Sequence, residues 1–245
     1  MARILIPLPD HDFDVTETAV PWKLLTEAKH EVVFATEHGE KPACDPLLLT
    51  GVLFGQLGAK ALSRAYYAEL ERSPAFERPT TWDALEMADF DALVLPGGHA
   101  PGMKQYLASE LLQSKVAAFA ATRKPLAAIC HGVLVLARAL DLDTGKSVLA
   151  GRRTTCLPKY MERTAYYTTA WKLGRYYRTY DAYVEDEVRA ALAAPAQFER
   201  GPVTLTAHGT REDDRDAFVV EDENYISARC PGDAFLFAKR LLTRL

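Results

Sequence analysis

Ala127-Ala128-Ile129-Cys130-His131-Gly132-Val133-Leu134-Val135-Leu136-Ala137 is an apolar run that meets a cysteine, a histidine and a glycine and then resumes with helical character. It reads as a buried strand, a sharp turn and a helix, with a thiol at the turn. This is the cysteine form of a nucleophile elbow, whose serine version has a glycine on each side; here only the following glycine, Gly132, is kept. Taken alone, the stretch is better read as a buried structural thiol, because free cysteine is among the most buried residue types. Its surroundings change that balance.

Upstream, Asp91-Ala92-Leu93-Val94-Leu95 is another short apolar strand, ending at Pro96-Gly97-Gly98-His99-Ala100-Pro101-Gly102. A helix follows through Leu111, Leu112, Val116 and Phe119, and leads to the strand at 125–129. At the N-terminus, residues 4–6 form a strand ended by Pro7 and Pro9. Thr16 is the expected cap of a helix over 17–29, with Pro21 near its first turn, and residues 31–36 form a strand. Downstream, a helix over 132–140 precedes short strands at 147–150 and 153–156 and a helix at 185–194. Strands follow at 203–206, 218–220 and 225–228, and Pro231-Gly232-Asp233 opens a last helix. Short apolar strands alternating with amphipathic helices predict a parallel sheet covered on both faces.

Two stretches depart from that alternation. Residues 37–80 read as an excursion with a helix near 60–70. Residues 158–215 hold a cluster of tyrosines, among them Tyr160, Tyr176 and Tyr177, with Trp171. An aromatic cluster of this kind is core or interface, or a lid over a site lined by Tyr176, Tyr177 and Arg178. The whole chain, 1–245, is expected to be one domain carrying inserted segments at about 37–80 and 158–215, since 245 residues suffice for one substantial core.

Composition narrows the function. There are 29 basic and 33 acidic residues, for a formal net charge of −4, so there is no electrostatic case for nucleic acid or an anionic membrane. No apolar run approaches the length of a membrane span, and the first residues lack a signal-peptide layout. Four scattered cysteines, 44, 130, 156 and 230, form no CxxC pair and no zinc spacing; they read as reduced thiols in the cytoplasm. No metal and no cofactor is expected, and no phosphate-binding fingerprint suggests a flavin.

In open α/β sheets, sites lie at the carboxyl ends of the strands. Three features converge there: the loop leading to Glu17, Gly97-Gly98-His99, and Cys130-His131-Gly132. That convergence favours a reactive cysteine. A helix N-terminus favours the thiolate at Cys130. The His131 and Gly98 N–H groups are the expected oxyanion donors. The His131 ring is either a base for the thiol or bonded elsewhere, because adjacent helical residues do not face each other. His99 either points into the site or is a solvated turn residue. Glu17 is the acid/base candidate, with a raised pKa beside a thiolate, or simply complements a helix dipole. His11, His30, His38 and His208 have no partner legible in the sequence.

These motifs resemble the ThiJ/PfpI superfamily, with its class I glutamine-amidotransferase-like fold. The resemblance rests on Leu93-Val94-Leu95-Pro96-Gly97-Gly98-His99, on Ala127-Ala128-Ile129-Cys130-His131-Gly132, on Glu17-Thr18-Ala19-Val20-Pro21, and on the close Ile226-Ser227-Ala228-Arg229-Cys230-Pro231-Gly232-Asp233-Ala234. It implies a flavodoxin-like, doubly wound, mainly parallel sheet with helices on both faces and an inserted segment near 158–215. It also implies a reactive Cys130, a partner carboxyl at Glu17, an oxyanion pocket around Gly98 and His131, and a homo-oligomer, most simply a dimer. Cys130-His131 is similar to the branch of heat-shock-type chaperone/glyoxalases and PfpI-like peptidases. In those glyoxalases a glutamate supports the histidine, and Glu162 stands at the matching place. A histidine found elsewhere in the superfamily near position 156 is absent, and the 163–215 insert departs from compact members.

The leading expectation is a cysteine-dependent, glutathione-independent glyoxalase acting on small reactive carbonyls, taking methylglyoxal to lactate. The alternatives are a PfpI-like cysteine peptidase or amidase, and a redox sensor or holdase without turnover. Glutamine amidotransfer is disfavoured, since His208 is followed by Gly209-Thr210 rather than a glutamate two residues on.

Overall fold

The computed structural model describes residues 1–52, 57–204 and 208–245. Among them a seven-stranded sheet runs through the molecule. Its strands are β1 (Arg3–Pro7), β3 (Glu31–Thr36), β5 (Thr80–Thr81), β6 (Ala92–Leu95), β7 (Leu126–Ile129), β8 (Val219–Asp222) and β9 (Tyr225–Ala228). A separate two-stranded piece pairs β2 (His11–Phe13) with β4 (Ala43–Cys44). The order across the large sheet is β5-β3-β1-β6-β7-β9-β8, parallel except for β8 against β9. The predicted doubly wound α/β class is what the chain adopts.

The helices cover both faces. On one, α1 (Val15–Glu27) packs against α3 (Ala61–Leu70) and α10 (Ala234–Leu242). On the other, α7 (Val133–Arg138) packs against α5 (Met103–Ala108), α6 (Glu110–Ala121) and α9 (Val184–Ala191). The short α2 (Pro46–Thr50) and α4 (Pro74–Glu77) lie in the 37–80 excursion, and α8 (Lys159–Leu173) in the later insert. The central strands explain this layering: every residue of β6, β7 and β9 is buried, as apolar runs in a sheet covered on both sides require.

Several expectations are corrected. Residues 147–150 and 153–156 form no strands; each stretch contributes one isolated bridge, Leu140 to Ser147 and Thr154 to Phe198. Val203 and Thr204 lie outside any strand, and the rest of the expected 203–206 strand lies outside the described residues. Helix α1 starts at Val15 with Asp14 as its cap, so Pro21 sits inside it rather than in its first turn. Lacking an N–H, Pro21 leaves the Glu17 carbonyl without its usual helical partner. Helix α8 was not legible because only Glu162 and Thr169 of it are buried, so no apolar stripe marks it.

The strand order reverses between β1, paired with β3 on one side, and β6 on the other. The carboxyl ends of β1, β6 and β7 therefore open onto one crevice. Gly132 is where these ends meet most tightly. A Cβ there would collide with the Leu95 carbonyl oxygen and come within 2.6 Å of the Pro96 oxygen. Both obstacles are backbone and cannot swing aside. Gly132→Ala is expected to cost about 3 kcal/mol of stability, read as the urea midpoint; an unchanged midpoint refutes this account of the glycine.

Candidate active site

Cys130 closes β7 with φ of +58°, a left-handed conformation strained for an L side chain. A turn of 3-10 helix over Cys130–Gly132 follows and leads into α7. The strained residue is the elbow itself. It brings two adjacent side chains together that a regular helix would splay: Cys130 Sγ lies 3.5 Å from His131 Nδ1.

Glu17 reaches the same place from α1. Asp14, Val15, Thr16 and Glu17 have the spacing of a capping box. Asp14 Oδ1 performs the cap, accepting from the N–H groups of Thr16 (2.7 Å) and Glu17 (3.0 Å). The reciprocal half of the box is diverted. Asp14 N–H donates instead to the Gly97 carbonyl (2.8 Å), and Gly97 N–H donates to Glu17 Oε2 (2.8 Å). The backbone of Gly97 thus plugs into the start of α1 and locks the Glu17 side chain across the strand ends. A Cβ on Gly97 would lie 2.7 Å from His131 N and 2.9 Å from Cys130 Cβ, so only glycine allows this approach. Gly98 has φ of +149° and a Cβ there would meet the Asp12 oxygen at 2.8 Å.

All three reactive groups are enclosed: Glu17 is 0%, His131 1% and Cys130 2% exposed. Burial drives their protonation. It raises Glu17 well above the usual carboxylate range, and the neighbouring Asp14 adds to the rise. Asp14 itself is pushed up to about 6 by burial. Burial, then the Glu17 and Asp14 carboxyls, push the Cys130 thiol well up. Burial holds His131 well below its ordinary value, with His99 and Arg138 acting in the same sense. Burial thus favours the neutral form of all three groups. This corrects the expectation of a resting thiolate: α7 is only six residues long and its end field is outweighed by desolvation. Glu17 Oε1 is buried and has no hydrogen-bond partner among the described residues.

His99 is partly buried and packs beside this cluster. Its ring stacks on His131 at 5.9 Å and 15° and lies 4.2 Å from Tyr177. Burial lowers it to about 4, so it too is neutral. Over these rings runs a strap, residues 174–183, between α8 and α9. Thr179 Oγ1 donates to the His99 carbonyl (2.9 Å), and Tyr176 OH donates to Asp45 Oδ1 (2.8 Å). Lys172 Nζ donates to the Val52 carbonyl (2.7 Å). The two sequence excursions thus meet above the strand ends, and the lid reading of the tyrosines prevails for Tyr176 and Tyr177. Tyr167 and Trp171 stay largely exposed, 62% and 76%.

Glu162 is placed elsewhere. Its Oε2 accepts from Val184 N–H (3.0 Å) and its Oε1 pairs with Arg178 (3.3 Å). It makes no hydrogen bond to His131, so its expected support of that ring is corrected: it ties α8 to the strap and to α9. Outside the site, His38 Nδ1 lies 2.5 Å from Asp10 Oδ2, and Gln105 bridges Asp10 and Glu37. These groups form a surface hydrogen-bond network that leaves Asp10 Oδ1 without a partner among the described residues. His30 accepts from Ala2 N–H (3.1 Å). Both histidines have partners the sequence did not reveal. Asp14 had a signal in its capping-box spacing; Tyr177, Thr179 and Asp45 had none.

Glu162 offers a test by pH. Burial raises it from 4.5 to about 7. Its folded state holds the proton more tightly than the unfolded chain does. The stability it contributes is full below about pH 4.5 and is lost as pH rises through about 7. Glu162→Gln is expected to remove roughly 2–3 kcal/mol of the stability decline between about pH 5 and pH 8. Parallel wild-type and variant melting curves across that range would contradict it.

No helix among the described residues is long and apolar enough to cross a membrane. The family model described as ThiJ/PfpI family-like matches residues 8–202. An uncharacterized protein of Schizosaccharomyces pombe is 29% identical over 98% of this chain and 82% of its own length. A deglycase of Pyrococcus abyssi is 26% identical over 99% of both chains. The crystal structure of glyoxalase III from Candida albicans superposes with a TM-score of 0.72 at 17% identity, over 100% of this chain and 97% of that one, and so shares the fold.

Proposed function

This chain belongs to the ThiJ/PfpI-like family, and from that premise we propose that it is a cysteine-dependent enzyme of small reactive carbonyls that converts methylglyoxal to lactate without glutathione. One observation carries the reading. A buried thiol, 3.5 Å from an imidazole nitrogen, sits among the same strand ends as a buried carboxyl whose second oxygen has no partner among the described residues. The names of the Candida and Pyrococcus relatives, a glyoxalase and a deglycase, support the substrate class.

In this mechanism His131 Nδ1 takes the proton of Cys130 as sulfur bonds to the aldehyde carbon. Glu17 gives its proton to the carbonyl oxygen, whose charge the N–H groups of His131 and Gly98 stabilise. The product is a hemithioacetal, and Glu17 is now a carboxylate. It or His131 removes the proton from the carbon attached to sulfur, forming an enediolate. Reprotonation at the neighbouring carbon leaves a lactoyl thioester. Water then cleaves the C–S bond, releasing lactate and restoring the thiol. The sum is addition of one water, with no external oxidant or reductant.

The enclosure bears on the alternatives. A peptide strand has no route to a sulfur only 2% exposed, which weighs against a peptidase. A thiol held in its neutral form oxidises slowly, which weighs against a redox sensor. The test is direct: purified protein with methylglyoxal alone, following loss of the carbonyl and appearance of lactate. Carbonyl loss with no lactate rejects the assigned reaction.

A further inference from the structure

We propose that Tyr177 is a specificity-determining residue of the Cys130 site, closing it so that only compact electrophiles reach the sulfur, while the groups beneath it turn away anions. The inference deepens the proposed function and rests on Cys130 being the reacting group, but not on which carbonyl is turned over.

Tyr177 is 3% exposed although it lies in a connecting strap. Its ring covers His99 at 4.2 Å, and His99 in turn covers His131. Its hydroxyl is buried and has no partner among the described residues. A buried hydroxyl left unpaired costs free energy, so this group is placed for something other than packing. It is able to donate to an oxygen of a molecule held beneath the strap. The neighbours of Tyr177 are themselves tied down, through Tyr176 to Asp45 and through Thr179 to the His99 carbonyl. On the outside, Tyr176, Arg178 and Thr179 line a groove of about 510 Å³ together with Pro101 and Lys104. Tyr177 is not part of that groove. The strap therefore lines the groove with Tyr176 and Arg178, while Tyr177 is buried beneath it with its ring on His99.

Charge selection follows from what lies beneath the strap. The groups around Sγ are Glu17 and His131, with Asp14 and His99 next to them. The cation that bears on His131, Arg138, is held by both oxygens of Glu187 (2.6 and 2.9 Å). An anion entering this site would lose its hydration beside carboxyl groups and gain no unpaired cation.

The experiment measures alkylation of Cys130 in the intact chain, mapped by mass spectrometry. Iodoacetamide, the equally small anion iodoacetate, and the bulkier N-ethylmaleimide are compared, each rate divided by that for a cysteine peptide. In wild type, iodoacetamide is expected to exceed both others on this scale. A closed state with a minor open population of about a tenth slows access tenfold. Tyr177→Ala should accordingly raise the relative N-ethylmaleimide rate about tenfold or more and leave the discrimination against iodoacetate in place. Tyr176→Phe, which removes only the bond to Asp45, should move the same ratio in the same direction by a smaller factor. An unchanged reagent ratio in folded Tyr177→Ala overturns the proposal; if that variant does not fold, an unchanged ratio in Tyr176→Phe does so. Failure of methylglyoxal turnover touches only the proposed function, because alkylation reads access alone.

Discussion

Cys130→Ala is expected to reduce methylglyoxal consumption by about 10⁴-fold or more, to the rate of buffer. Every step of the proposed reaction after binding takes place on a substrate covalently held by Sγ. The remaining thiols lack the same partner: among the described residues Cys130 is the thiol beside an imidazole nitrogen, while Cys44 and Cys156 are buried without one and Cys230 lies by the Asp233 carboxyl. The fold should barely register the change. Alanine inherits the same positive φ of +58° and removes one buried sulfur atom. The loss of stability should stay near 1 kcal/mol. Stopped carbonyl assays on wild type and variant, with melting temperatures measured alongside, decide the point. Residual consumption above a few per cent in a folded Cys130→Ala protein would remove the thiol from the mechanism.

Glu17→Gln is the second large effect, expected to lower kcat about 10²- to 10³-fold while the KM changes little. The substitution retains an acceptor for Gly97 N–H, so the link between α1 and the β6 end survives. It removes the group that gives a proton to the substrate oxygen and one of the two that can take another from carbon. Because burial favours the neutral form of Glu17, the amide replaces it without removing a stabilising charge. The folded state holds its proton more tightly than the unfolded chain, so Glu17 costs stability as pH rises above about 4.5. Stability of Glu17→Gln should therefore match or exceed that of wild type near neutral pH and above. Turnover within threefold of wild type would eliminate Glu17 as the proton carrier. An equal loss in kcat and rise in KM would instead mark it as a positioning residue for Gly97.

The site was legible wherever its chemistry is written in adjacent residues. Cys130 with Gly132, and Gly97 with Gly98, announce themselves because a tight turn at a strand end tolerates few residue types. Glu17 was legible as an acid at the start of a helix. Its true role as a diverted capping-box member was not, because the group that diverts it, Gly97, is 80 residues away. Glu162 was misplaced for a related reason. A matching position in the chain says nothing of which side chain it faces, and in the fold Arg178 and Val184 take both its oxygens. The pKa of Cys130 went the opposite way from the local expectation. Helix position is a property of the nearest turn, whereas desolvation is set by everything packed around it.

The amino-acid sequence by itself determined the layered α/β class, the elbow at Cys130 and the glycines around it. These depend on short-range rules: apolar period, backbone freedom and the residues a turn accepts. Only the tertiary structure decided that the site is closed, neutral and roofed by Tyr177. Those properties come from the meeting of α1, the β6 and β7 ends and two distant excursions, where Asp45 meets Tyr176 across 131 residues of chain. Burial is a sum over contacts that no local window contains, and in this protein burial sets the protonation of every reactive group.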